Sequence, residues 1–186
     1  SRRQRPMRIV SRCESIWQLS ILQKYDMGIK IREAAQFKDQ LDRLFASYKD
    51  LPDDDLIKSH YSRYLCLMVS NFIQVWMKGF CIRIARERSD RVVLNFVESA
   101  IERLPNPNAE RFRELIAKFS PEWKERVEKK FASEQVEAFN SIYNNRNQIA
   151  HGGSNGVTFT TIKAWYENVL KALCDAEDIA KFEIDG

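Results

Sequence analysis

The chain has 186 residues, 44% of them hydrophobic, which is enough to bury the core of one domain of ordinary size. Its formal net charge is +4. Because five of the 30 Lys and Arg residues precede Glu14, the remaining 25 face 26 Asp and Glu residues, and the body of the chain is electrically balanced. Composition therefore excludes a uniformly basic nucleic-acid-binding body. The early basic residues are Arg2, Arg3, Arg5, Arg8 and Arg12.

We interpret residues 1–30 as a basic N-terminal extension and residues 31–186 as one helical domain. An arm of this kind either contacts phosphates without sequence specificity or remains solvated. The longest run without a charged residue covers residues 64–77, which is shorter than the roughly 20 apolar residues of a membrane span. No apolar signal-peptide segment follows the basic start, so we expect a cytoplasmic protein.

The four cysteines give no indication of a metal or redox site. They are far apart, with no C-x-x-C pair and no histidine at metal-ligand spacing. Cys66 and Cys81 are expected to fill the core.

Helical periodicity dominates the rest of the chain and predicts an all-α fold. Asp53, Asp54 and Asp55 are suited to cap a long central helix whose apolar residues occupy more than one face. Ser120 and Pro121 have the types expected at a helix cap and first helical position, whereas Pro105 and Pro107 oppose helix continuation. The predicted helices cover residues 31–48, 56–84, 91–104, 108–119 and 120–131, then 133 to about 152, and finally an amphipathic helix over 160–182.

Polar residues are concentrated at the end of the penultimate predicted helix, over residues 144–153. The apolar spacing of this helix leads to Arg146, and an unpaired buried guanidinium would cost several kcal/mol, so Arg146 must pair, reach solvent or line a cleft or interface. His151 is one of two histidines and a candidate for acid–base chemistry near neutral pH. Arg and His are also ordinary residues at a helix C-terminus, where they reach solvent or face the last carbonyls.

The order Arg146-Asn147-x-x-x-His151-Gly152 resembles the Arg-x(4–6)-His signature of the HEPN superfamily, and is most similar to RiboL-PSP-type members. The polar loop and final amphipathic helix that follow are also typical of that superfamily. The helix pattern resembles it over residues 31–182, and closely over 139–173. The resemblance implies an antiparallel helical bundle, here with extra short helices, in which the motif comes late in the chain.

The same resemblance implies a metal-independent endoribonuclease that works as a homodimer with the motif of each subunit at the interface. Its products would be RNA ends with a 2′,3′-cyclic phosphate and a 5′-hydroxyl, and no cofactor is expected. His151 would act as general base or acid, Arg146 would stabilise charge on the phosphate, and Asn147 would hold the histidine or a phosphate oxygen. Members of this superfamily commonly act as toxins or antiviral effectors, and a cognate antitoxin or nucleotidyltransferase partner is compatible with that role.

Two other functions remain open from the sequence. One is a HEPN module that binds RNA, nucleotide or a partner protein without cleaving RNA. The other is a helical interaction domain of a longer polypeptide. His60 has no chemical companion at helical spacing and is expected to be structural. The aromatic residues at helical spacing are expected to be core rather than base-stacking residues, namely Tyr61, Tyr64, Trp76, Trp123 and Trp165.

Overall fold

The computed structural model describes residues 29–153 and 156–181, so residues 1–28 of the predicted extension and the last predicted helical residue, Phe182, lie outside the described residues. Ile29 and Lys30, which the prediction places in the extension, are described: Ile29 is buried, and the backbone N–H of Lys30 donates to Glu177. That part of the chain forms seven α-helices and no strand, which confirms the all-α prediction. A short 3-10 turn, Tyr48–Asp50, follows the first helix. The helices are α1 Arg32–Ser47, α2 Asp55–Arg88, α3 Arg91–Ile101, α4 Ala109–Phe119, α5 Pro121–Lys130, α6 Ser133–Ala150 and α7 Phe159–Ala180.

Side-chain caps explain where several of these helices begin. The carboxylate of Asp54 accepts hydrogen bonds from the backbone N–H groups of Leu56 and Ile57, at 2.8 and 3.0 Å. Asn108 caps α4 through the backbone N–H of Arg111, and Ser120 caps α5 with Pro121 at its first position. Each cap gives a backbone donor at the helix start a partner that the helix itself does not provide.

The long helix α2 lies at the centre of the molecule and contacts α1, α3, α6 and α7. By length and composition it would suffice to cross a membrane, but 56% of its most apolar window is buried by the other helices. A core helix surrounded on several sides has this composition. The largest side chains that it buries completely are Phe72, Trp76 and Phe80.

One position of α2 differs from the prediction. Tyr64, expected among the core residues, is 42% exposed. The buried residues Leu65, Val69 and Phe72 follow one another at helical spacing and form one face of α2. Tyr64 precedes Leu65 directly and therefore lies on a different side of the helix. It therefore points away from the neighbouring helices.

Four segments meet at the end of the bundle that carries residues 146–151, which we call the motif end. Tyr48 stacks on Phe159, at the start of α7, with ring centroids 3.7 Å apart, and also contacts Tyr61, near the start of α2. Towards the other end of the same two helices, Trp76 of α2 donates a hydrogen bond to Glu177 of α7. Helices α2 and α7 therefore run in the same direction. Helix α6, joined to α7 by a short loop, runs in the opposite direction, and the motif end gathers the ends of α1 and α6 with the starts of α2 and α7.

Candidate functional site

Helix α6 stops directly after the motif, in a geometry that depends on the two glycines. Gly152 has φ +74°, in the left-handed region, and its N–H donates to the carbonyl of Ile149 at 3.1 Å. The N–H of Gly153 donates to the carbonyl of Gln148 at 2.8 Å. These two bonds are those of a Schellman motif, which satisfies carbonyls that the end of a helix leaves free. His151 is thereby held at the helix terminus.

Arg146 lies at the partly buried position that its spacing predicts, one turn after the buried Ile142. Its Nη1 donates to Oδ1 of the neighbouring Asn147 at 3.3 Å. In the described part of the chain no carboxylate forms an ion pair with it. The guanidinium thus reaches the surface with most of its donors unused, which is one of the solutions expected from the sequence.

The side chain of His151 is exposed and makes no hydrogen bond to any residue that the structure describes. Its backbone N–H donates to the carbonyl of Asn147 at 3.1 Å, so those two residues lie on one side of the helix end. Arg146 lies five residues before His151, about 140° around the helix at 3.6 residues per turn. Arg146 therefore forms a hydrogen bond with Asn147 and none with His151.

A family model described as RiboL-PSP-HEPN matches residues 29–180, which is most of the chain. This chain belongs to the RiboL-PSP-HEPN family. The match confirms the predicted superfamily and its RiboL-PSP type, and an all-α fold is the one expected of a HEPN domain. Comparison with curated proteins and with solved structures found no match.

The HEPN domain also has a surface groove beside the motif that the sequence reasoning missed. Its volume is about 540 Å³, and it lies between the start of α4 and the middle of α6. The repetition of asparagine every four residues, at 140 and 144, could have indicated one polar face of α6 leading toward the motif. The α4 residues carried no such signal, because only the tertiary packing brings that helix alongside. The groove is lined by Asn108, Glu110, Arg113, Asn140, Tyr143 and Asn144.

Other candidate residues of this HEPN domain have structural roles or none. Burial raises the pKa of the Cys66 and Cys81 thiols to about 12, as expected for core residues that are not nucleophiles. Asp54 caps α2, and Asp53 pairs with Lys58. Across the described residues no cluster of His, Cys, Asp and Glu could hold a metal ion. Arg146, Asn147 and His151 therefore remain the candidate catalytic residues.

Proposed function

We propose that this HEPN domain is an endoribonuclease whose catalytic residues are Arg146 and His151. One observation supports the proposal above the others: among the described residues, the His151 side chain has no hydrogen-bond partner and the Arg146 guanidinium has only Asn147, so both groups at the end of α6 are available to a substrate. A guanidinium stabilises charge on phosphoryl oxygens, and an imidazole transfers protons. Both are the groups needed for cleavage of RNA by its own 2′-hydroxyl.

The proposed reaction needs no activated water. The 2′-oxygen attacks the adjacent phosphorus, the bond from phosphorus to the 5′-oxygen breaks, and the products are a 2′,3′-cyclic phosphate and a 5′-hydroxyl. One histidine takes the proton of the 2′-hydroxyl, and a second donates a proton to the leaving 5′-oxygen. Each positioned acid or base contributes roughly 10² to 10⁴-fold to the rate. Arg146 stabilises the charge that grows on the phosphoryl oxygens.

The positions of the two side chains around α6 support a homodimeric site. Since Arg146 and His151 lie about 140° apart around the helix, one subunit presents them in different directions. A second copy of the chain facing the motif end would supply both a partner histidine and a second arginine. We therefore propose that the active form is a homodimer with its cleft between two motif ends.

Asn147 receives a different proposed role from the one that the family resemblance implies. Its side-chain oxygen accepts from Arg146, so it orients the arginine in the described subunit. A toxin or antiviral role, and control by a cognate antitoxin or nucleotidyltransferase, are proposed from the family alone.

The test is incubation of the purified protein, in EDTA, with end-labelled single-stranded RNA and with total tRNA. We expect His151→Ala and Arg146→Ala each to lower the cleavage rate at least about 100-fold. His60→Ala is the matched control, because His60 is the other histidine and is also exposed. Cleavage by His151→Ala at the parental rate would show that the site is wrong. A folded parent that cleaves no RNA would favour the non-cleaving HEPN module.

Mixing the two inactive variants tests the shared cleft. A heterodimer of Arg146→Ala and His151→Ala contains one arginine and one histidine, contributed by different subunits. Because the heterodimer regains one arginine and one histidine but lacks the second histidine, we expect the two variants refolded together to cleave RNA faster than either variant refolded alone, but more slowly than the parent. A mixture that forms heterodimers but stays inactive would contradict the composite site.

A further inference from the structure

The groove beside the motif lies between α4 and α6, close enough to Arg146 and His151 to extend the proposed catalytic site. Asn140, Tyr143 and Asn144 of α6 form one wall, and Glu110 and Arg113 of α4 belong to the opposite wall. At 1.5 Å per residue along the helix, Asn144 lies about 10 Å from His151. A molecule in the groove would therefore be within one or two nucleotides of the proposed chemistry.

Most polar groups of the groove are not used to hold the fold. Asn140 accepts a hydrogen bond from the backbone N–H of Ala109 at 3.1 Å, which fixes its amide and leaves its Nδ2 without a partner among the described residues. Over that same part of the chain, the side chains of Asn144 and Arg113 make no hydrogen bond. Such free donors and acceptors are what the edge of a nucleobase requires.

The aromatic ring in the wall is held in position from outside the groove. Arg111 lies over the ring of Tyr143, 5.5 Å from its centroid, and its Nη1 donates to the tyrosine hydroxyl at 3.4 Å. Arg111 is in turn fixed by the carbonyl of Asn106, at 3.2 Å. A ring restrained in this way offers an edge or face for an unstacked base at little entropic cost.

The charges of the groove distinguish a nucleotide from a bare phosphate. Arg113 suits a phosphate oxygen, whereas the carboxylate of Glu110 repels one and accepts hydrogen bonds from an amino group. Three of the four RNA bases carry an exocyclic amino group, and uracil does not. A groove with one arginine, one carboxylate and three asparagine amides, of which that of Asn108 caps α4, fits a phosphate joined to an amino-bearing base.

We propose that this groove binds one nucleotide of the single-stranded RNA substrate, adjacent to the cleaved bond, and discriminates against uridine at that position. The inference rests on the proposed ribonuclease function, since the cleaved bond is defined by Arg146 and His151. Single-stranded RNA is read by amides and carboxylates on base edges, with aromatic rings beside them. Arg113 holds the phosphate, Glu110 accepts from the base amino group, and Asn140 and Asn144 complete the base contacts.

The cleavage arm uses RNA oligonucleotides with one randomised position on each side of the cleaved bond. We expect Asn144→Ala and Arg113→Gln to lower cleavage about tenfold, and Glu110→Gln to relax the discrimination against uridine. The control Lys118→Gln removes one positive charge from the last turn of α4, away from the groove, and should leave both rate and preference unchanged. Unchanged rates and preferences in all three groove variants, with the parent active, would overturn the groove and leave the ribonuclease proposal standing.

The binding arm separates the groove from the chemistry. In the His151→Ala background, the affinity for a short single-stranded RNA should fall about tenfold on Arg113→Gln and remain unchanged on Lys118→Gln. If these affinity changes are observed but the parent cleaves no RNA, the ribonuclease proposal is rejected and the nucleotide site is retained. Equal affinity for all variants, or no RNA binding by the parent, would overturn the inference.

Discussion

Gly152 and Gly153 fix the last turn of α6 for different reasons. Gly152 has a positive φ that residues with a Cβ atom adopt only with strain, although nothing would touch an added Cβ there. Gly153 has ordinary space on most sides, but an added Cβ would lie 3.0 Å from the carbonyl oxygen of Gln148. Gly152 supplies the left-handed backbone conformation, and Gly153 lets the chain pass close to the carbonyl of Gln148. Both glycines keep His151 at the helix end.

We expect Gly152→Ala to lower the free energy of unfolding by about 1 kcal/mol, through the cost of the left-handed conformation. For a chain of this size that corresponds to a fall in Tm of roughly 2–4 °C, measurable by thermal denaturation. Gly156→Ala is the control, because Gly156 lies in the same loop with open space and no positive φ. Equal stability of the two variants would contradict the role given to Gly152.

The spacing of residues along α6 was enough to predict which side chains form the motif, but not their contacts. Arg146, Asn147 and His151 follow from sequence order alone, as does the partly buried position of Arg146. That Asn147 bonds to Arg146 depends on side-chain conformations, which spacing does not determine. Glu110 and Arg113 enter the site through the packing of another helix, so no local pattern could reveal them.

At the scale of helices, capping residues and apolar spacing predicted the elements well. The helix over residues 108–119 begins at Ala109 with Asn108 as its cap, and the last helix begins at Phe159 rather than at residue 160. The central helix continues to Arg88, four residues beyond the predicted end. Its last turn is largely exposed and charged, and a pattern of apolar residues does not detect such a turn.

Gly79 of α2 allows the segment before α1 to approach the central helix closely. A Cβ at Gly79 would lie 2.4 Å from Cγ2 of Ile31, which is buried. A methyl group therefore does not fit unless Ile31 moves. This contact sets the distance between the start of α1 and the central helix α2.

We expect Gly79→Ala to lower the free energy of unfolding by about 1–3 kcal/mol through overpacking, despite the better helix propensity of alanine. In the background of Ile31→Ala the clash is gone, so the same substitution should have little effect or stabilise. Urea denaturation of the four proteins in this double-mutant cycle measures the coupling. Additive effects would mean that the contact with Ile31 does not limit the approach.

At the scale of the whole molecule, one buried carboxyl group joins the first described residues to the central and last helices. Glu177 of α7 is fully buried and accepts from the backbone N–H of Lys30 and from Nε1 of Trp76, both at 2.7 Å. Burial raises the pKa of Glu177 to about 7, although these hydrogen bonds favour the charged form. Between about pH 4.5 and pH 7, the folded protein therefore favours the protonated carboxyl group, whereas the unfolded chain favours the carboxylate.

The sign of the resulting pH dependence follows from the raised pKa. Between its ordinary value near 4.5 and about 7, the folded state binds the proton and the unfolded state does not, so the free energy of unfolding falls as the pH rises. We expect a loss on the order of 2–3 kcal/mol between pH 5 and pH 8 from this group. Denaturant unfolding across that range should show the slope in the parent and in the exposed control Glu125→Gln, but not in Glu177→Gln.

The abrupt end of α6 also has an electrostatic consequence for the substrate. Aligned peptide dipoles give the C-terminus of a helix a partial negative charge of about half an elementary charge. Phosphates are usually bound at the opposite, positive end of a helix, so the end of α6 by itself repels an RNA backbone brought to this motif. The positive charge of Arg146 must first offset this repulsion before it attracts an RNA phosphate. Its removal would leave the negative end of α6 without a positive charge beside it, and the affinity for RNA at low salt should fall by more than one lost ion contact.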